Sequence, residues 1–332
     1  MKSRAGAVAL AVSMSLAAIQ AVWGQRLLVA NQDDRTISVI DPAAGRVVAT
    51  VAEPVAGEWV HEVAASPDGR TAYAPVYGNS GVGKPGIDGR TLLVIDVASG
   101  RVIRTLDFGH GVRPHLPVLD AAHGRLYVTT ELDDAVTVVD TKTLRIVGKV
   151  PTGQAESHML AISHDGRFGY TANVGPGTVS VLDLMGRKTL AVIPVAGTVQ
   201  RIAITPDDRH VFTSDQKQPR LAVIDTATRK VQQWVTLPGI GYGAAATPDG
   251  RWLLVALPGR NAVTVVDLRA MRVAQTIAVG KAPQAVLVRP DGRMAYVSCA
   301  GSGQVAAIDL TEWKVEKMIP AGAWDDGMAW AR

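Results

Sequence analysis

Cysteine is nearly absent: Cys299 is the single one among 332 residues, so no disulfide can form within the chain and stability must come from packing. Alone in an otherwise apolar run, Cys299 reads as a small buried hydrophobe rather than a reactive thiol. Aromatic residues are also scarce, at 5%, which leaves the interior to small and β-branched side chains. The net charge is only +4, and it falls to +2 if Lys2 and Arg4 are removed. That is too weak an electrostatic footprint for general nucleic-acid binding. Beyond residue 22 no apolar stretch approaches membrane-spanning length. Gly-x-Ser-x-Gly, His-Glu-x-x-His and Cys-x-x-Cys-His motifs are missing, which removes the commonest hydrolase, metalloprotease and covalent-haem chemistries. The glycine-rich stretch Gly81 to Gly89 has no phosphate-loop Lys followed by Ser or Thr, so no nucleotide site is assigned.

Glycine and proline, by contrast, are plentiful, at 33 and 18 residues, and a hydrophobic fraction of 47% with 19% charge fits a globular chain with a large core. Residues 1–24 combine two early positive charges, an apolar run from Ala5 to Val22, and small residues before Gln25. This pattern predicts a secretory signal peptide, an uncleaved anchor being the alternative. Residues 25–332 are then expected to form one domain, periplasmic or secreted and not membrane-spanning after cleavage.

Self-similarity is the main signal. An apolar segment ending in Asp recurs at Asp41, Asp96, Asp140, Asp183, Asp225, Asp267 and Asp309, with spacings of 55, 44, 43, 42, 42 and 42. Between these lie Pro67-Asp68-Gly69-Arg70, His123-Gly124-Arg125, His164-Asp165-Gly166-Arg167, Pro206-Asp207-Asp208-Arg209, Pro248-Asp249-Gly250-Arg251 and Pro290-Asp291-Gly292-Arg293. Each period holds four short apolar runs separated by turn residues, and none has helical spacing. Four strands per unit of about 42 residues describe a β-propeller blade. The expectation is an all-β, seven-bladed β-propeller of four-stranded blades.

One Pro-Asp-Gly-Arg turn is missing, and the chain ends supply the reason. Asp326 to Arg332 aligns with an innermost strand, and Gln25 to Ala30 aligns with the strand that should follow it. The N- and C-terminal strands are therefore expected to pair in one shared blade, closing the ring and leaving no free sheet edge. Pro-Asp-Gly-Arg and the seven Asp residues read as turn chemistry, not as catalytic acids.

Tyr127-Val128-Thr129-Thr130, Tyr170-Thr171-Ala172-Asn173 and Tyr296-Val297-Ser298-Cys299, each upstream of a Val-x-x-Asp element, resemble YVTN-type repeats. The chain is thus similar to the seven-bladed YVTN propellers, a family that includes small periplasmic YncE-type proteins. The resemblance implies the fold over all of residues 25–332. It leaves function open among binding proteins, lactonases and subunits accompanying quinone- or haem-dependent redox systems, with single-stranded DNA binding the weaker implication at this charge.

Propeller function is sought at one mouth of the central channel. The positions that open the innermost strands align as His61, His115, His158, Gln200, Tyr242, Gln284 and Asp326, all polar, while the strand positions that follow are small or apolar. Loops after the second strands bring Asn31, Glu131, Asn173, Asp215 and Cys299 to the same mouth, and Tyr77 begins the one long insertion, Tyr77 to Arg90. Arg113, beside His115, could hold an anionic group; Trp59 and Trp324 could offer stacking surfaces. His61, His115 and His158 fall on consecutive blades and suit Zn, Cu or Fe, although blade spacing lets two of them share an ion more easily than three. No cofactor is assigned beyond that. The leading expectation is a non-enzymatic binding or scaffolding module for a small molecule or a periplasmic protein. The alternative is a lactonase-like or metal-dependent enzyme that uses the three histidines, with Glu131 nearby.

Overall fold

A computed structural model describes residues 25–54 and 57–332; the expected leader over residues 1–24 lies outside the described residues. The chain forms seven antiparallel sheets. Six hold four strands each, and in the other the innermost strand is split into Trp59–Val60 and Ala64–Ala65. The sheets are blades of one ring, numbered here from the N-terminus. The ring closes as the termini suggest: Asp325–Ala331 is the innermost strand of blade 1 and pairs antiparallel with Arg26–Asn31.

Burial follows from position within a blade. The second and third strands, such as Arg26–Asn31 and Thr36–Asp41, are buried on both faces by neighbouring blades, so they read as nearly unbroken apolar runs. The outermost strands, such as Arg46–Ala52, alternate between exposed and covered residues. The core is therefore a set of seams between blades and not one central mass. One seam joins Leu27, Val29 and Ile40 of blade 1 to Tyr296, Val305 and Ile319 of blade 7. Across it Tyr296 and Trp330 stack with ring centroids 5.5 Å apart.

The repeated turn residues do what their chemistry dictates. Asp41, Asp96, Asp140, Asp183, Asp225, Asp267 and Asp309 each accept a hydrogen bond from the backbone N–H three residues on. In Pro248-Asp249-Gly250-Arg251 the Asp249 carboxylate accepts from the Arg251 N–H, and Gly250 sits at φ +67°, a conformation that favours glycine. Every third-to-fourth strand pair carries a register shift just before its Asp, and such bulges increase strand twist. All these turns lie at one end of the channel. The candidate functional residues lie at the other. Among the described residues no helix is long and apolar enough to cross a membrane.

Candidate functional site

At the mouth, the innermost strands give up regular pairing. In blade 2 the break between Val60 and Ala64 contains His61 and Glu62. In blade 5 the strand starts only at Ala203, leaving Gln200 and Arg201 ahead of it, and in blade 6 it starts at Ala244, after Tyr242. Backbone bonds across blades hold these short segments: the Gly327 N–H donates to the His61 carbonyl at 2.9 Å, and the Gly243 N–H donates to the Gln284 carbonyl at 3.1 Å.

Blades 2, 3 and 4 build the first half of the site. His115 and His158 lie with ring centroids 3.6 Å apart and planes tilted by 32°, and His61 stands edge-on to His115 at 5.4 Å. Tyr77 fills the space between, with its ring 4.7 Å from His61 and 5.3 Å from His115. Its hydroxyl donates to Glu131 at 2.7 Å, and the other oxygen of Glu131 pairs with His158 Nδ1. Gln200 Nε2 lies 3.5 Å from His158 Nε2. A carboxylate therefore fixes both a phenol and an imidazole, and all three side chains are buried. Burial pushes the Tyr77 hydroxyl well above its usual range, reinforced by the Glu131 charge. Burial also pulls His61 down to about 4 and His115 well below the ordinary histidine value, so both rings are neutral near pH 7.

Two of the nitrogens on these neutral rings have no partner. His61 Nε2 and His115 Nδ1 are buried and unbonded. Leaving a polar atom in that state costs about 1–3 kcal/mol, so such atoms mark places where another group belongs.

The second half is an ionic cluster across the channel. Arg201 of blade 5 donates to Glu62 of blade 2, and to Asp326 of the closing strand at 2.5 Å. All three side chains are buried. The guanidinium also lies 4.9 Å from the Tyr242 ring centroid, and Gln32 donates to the second oxygen of Asp326 at 2.7 Å. Burial pushes the Glu62 carboxyl above its usual range, with Arg201 opposing the rise and the Asp326 charge adding to it. Just inside, Glu62, Met159, Arg201 and Met328 are among the residues around a cavity of about 100 Å³, and Arg201 Nε is buried without a partner.

The residues expected at the mouth thus divide. His61, His115, His158, Glu131, Gln200, Tyr242 and Asp326 come together. Gln284 stays with blade 7, where its side-chain amide lies 3.4 Å from the Ala282 carbonyl. Asn31 and Asn173 turn back into their own blades, donating to Thr36 and Ser38 and to Thr178 and Ser180 respectively. Asp215 caps the loop that follows it by accepting from the Lys217 and Gln218 N–H groups. Cys299 is fully buried, its N–H donates to Asp325, and burial raises its thiol to about 11, which makes it inert. Arg113 is buried and already engaged: it donates to Asp88 at 2.6 Å and to the Lys84 carbonyl at 2.7 Å. It pins the insertion, whose loop runs over residues 79–87 between two strand ends, and leaves no free cation for an anion. Glu62 and Arg201 were not among the expected residues. Their signal was a charge one place past the mouth position, where other blades carry Leu116, Met159, Gly243, Ala285 or Gly327.

Seven four-stranded blades closed by the two termini define a β-propeller, with a buried polar cluster at one channel mouth. The chain belongs to the YncE-like β-propeller family, whose model matches residues 111–293. No curated protein matches its sequence. Solved structures share the fold at low identity. Kuenenia stuttgartiensis hydrazine synthase superposes with a TM-score of 0.72 at 20% identity, over 86% of this chain and 92% of that one. Dihydro-heme d1 dehydrogenase NirN in complex with DHE superposes with a TM-score of 0.65 at 15% identity, over 91% of this chain and 74% of that one.

Proposed function

We propose that this propeller is a binding module, periplasmic or secreted, that takes a small molecule or a protein partner at the polar mouth. The observation that carries the reading is the pair of buried, unbonded nitrogens on neutral His61 and His115, set beside a Tyr77–Glu131–His158 chain that holds the surrounding rings in place. A site held this rigidly has little ordering left to do on binding, which is what preorganisation contributes to affinity. One structural neighbour is a dihydro-heme d1 dehydrogenase by title, which supports a haem-related redox system as the setting of this binding module. A hydrolase reading stands second. It is favoured by Glu131, which orients His158 as a general base requires.

Thermal-shift measurements in EDTA, with hemin, menadione and γ-butyrolactone as probes, test the binding reading. At least one probe should raise the unfolding temperature of the wild type, and the shift should vanish in Glu131→Gln and His158→Ala. A shift that survives in both variants would place binding elsewhere and overturn the reading. Turnover of the lactone, lost in His158→Ala, would instead put the hydrolase reading first.

A further inference from the structure

We infer that the mouth holds a divalent transition-metal ion on His61 and His115, with open coordination positions toward the channel; this deepens the reading of the mouth as a binding site and rests on it. Three independent observations converge. The first is the unpartnered nitrogen on each ring, with His115 only 1% exposed. A buried imidazole with a free lone pair is a metal ligand in waiting, because the ion replaces the missing hydrogen bond.

The second is spacing. Two imidazoles that bind one ion at about 2.0–2.1 Å place their ring centroids roughly 5 to 6 Å apart, and the His61 and His115 centroids are 5.4 Å apart at an interplanar angle of 79°. His158 is set differently. Its ring is tilted by 32° against that of His115, and its Nδ1 is taken by Glu131, so it supports the site without ligating. Among the described residues no three His, Cys, Asp or Glu side chains are grouped to hold an ion. Two protein ligands leave the remaining coordination positions to water or to an incoming donor, one fewer protein ligand than the three typical of catalytic zinc sites.

The third observation is charge. Glu62, Glu131 and Asp326 are buried carboxyl groups at this mouth; Arg201 answers Glu62 and Asp326, and the Arg113 guanidinium, 6.0 Å from the Tyr77 ring centroid, is already paired with Asp88. Carboxylates therefore outnumber guanidinium groups here, which favours a dication. The donor type selects among dications: calcium and magnesium want oxygen ligands, whereas neutral imidazole suits Zn²⁺ and Cu²⁺.

The test uses the whole chain stripped with EDTA, dialysed and titrated with CoCl₂, followed by ZnCl₂ and CuSO₄ competition. Visible d–d absorption reports imidazole coordination, and elemental analysis gives the stoichiometry. A single Co²⁺ per chain is expected, displaced by Zn²⁺ and Cu²⁺. His61→Ala and His115→Ala should each weaken binding by more than about a hundredfold, beyond the effect typical of groups behind the ligands. His164→Ala should change nothing, since His164 pairs with Asp208 at the opposite end of the channel. If an alanine variant does not fold, His61→Gln and His115→Gln keep the side-chain volume and serve instead. Failure of the wild type to take up any of the three ions, or uptake unchanged in a variant that combines the His61 and His115 substitutions, overturns the inference. If the EDTA-treated protein still binds a probe at the mouth, the binding reading survives that failure; if it binds neither metal nor probe, both fall.

Discussion

Deleting residues 325–332 should abolish cooperative unfolding. The segment is the innermost strand of blade 1, so its loss exposes the backbone edge of Arg26–Asn31 and strips Met328 and Trp330 from the seam with blade 7. It also removes Asp326 from Arg201 and Asp325 from the Cys299 N–H. An open apolar strand edge is a template for pairing with other chains. The truncated protein is therefore expected to aggregate, or to show no sharp thermal transition by circular dichroism. A soluble monomer that melts within a few degrees of the full chain would mean that the ring does not depend on its shared blade.

Replacing Arg201 by Met should be the most damaging single substitution at the mouth. It leaves Glu62 and Asp326 buried and facing one another with no cation between them, an arrangement that costs about 3–5 kcal/mol. At roughly 2–4 °C per kcal/mol for a chain of this class, the unfolding temperature should fall by about 6–20 °C. The compensated triple variant Arg201→Met, Glu62→Gln, Asp326→Asn removes the buried charges together, and most of the loss should be recovered. Recovery separates the cost of an uncompensated charge from the cost of lost packing, because a purely steric role for Arg201 would leave the triple variant as unstable as the single one.

These two results probe parts of the molecule that differ in how far sequence reveals them. The closing strand was legible, because Asp326 stands where the repeat demands an innermost strand and Gln25 follows in phase. The turns were legible for a local reason: Asp249 and Gly250 act on backbone within three residues of themselves. The convergence of His61, His115 and His158 also followed from the repeat, although 3.6 Å between two rings is much closer than blade spacing alone suggests, since the side chains reach inward from their strands. The Arg201 cluster was not legible. Its partners lie 139 and 125 positions away, and only the closed ring brings blades 1, 2 and 5 around one point. Asn31 and Asn173 show the converse. They hold the right repeat position, but a hydroxyl on the adjacent strand of the same blade accepts from each amide N–H first, which turns them from the mouth.

The acid behaviour of the mouth follows from the same burial. Because the folded protein holds His61 and His115 below the unfolded histidine value near 6.5, their neutral forms contribute stability that is present above that pH. The contribution is lost as pH falls through about 4 for His61, where burying the proton becomes unavoidable. The most direct measurement is a pH titration of the histidine ring nitrogens by NMR in the metal-free protein. His61 is expected to stay neutral until close to pH 4, and His115 to resist protonation as well. Titration of either ring near 6.5 would contradict this expectation, because the mouth would then be wet and its unbonded nitrogens already satisfied by water.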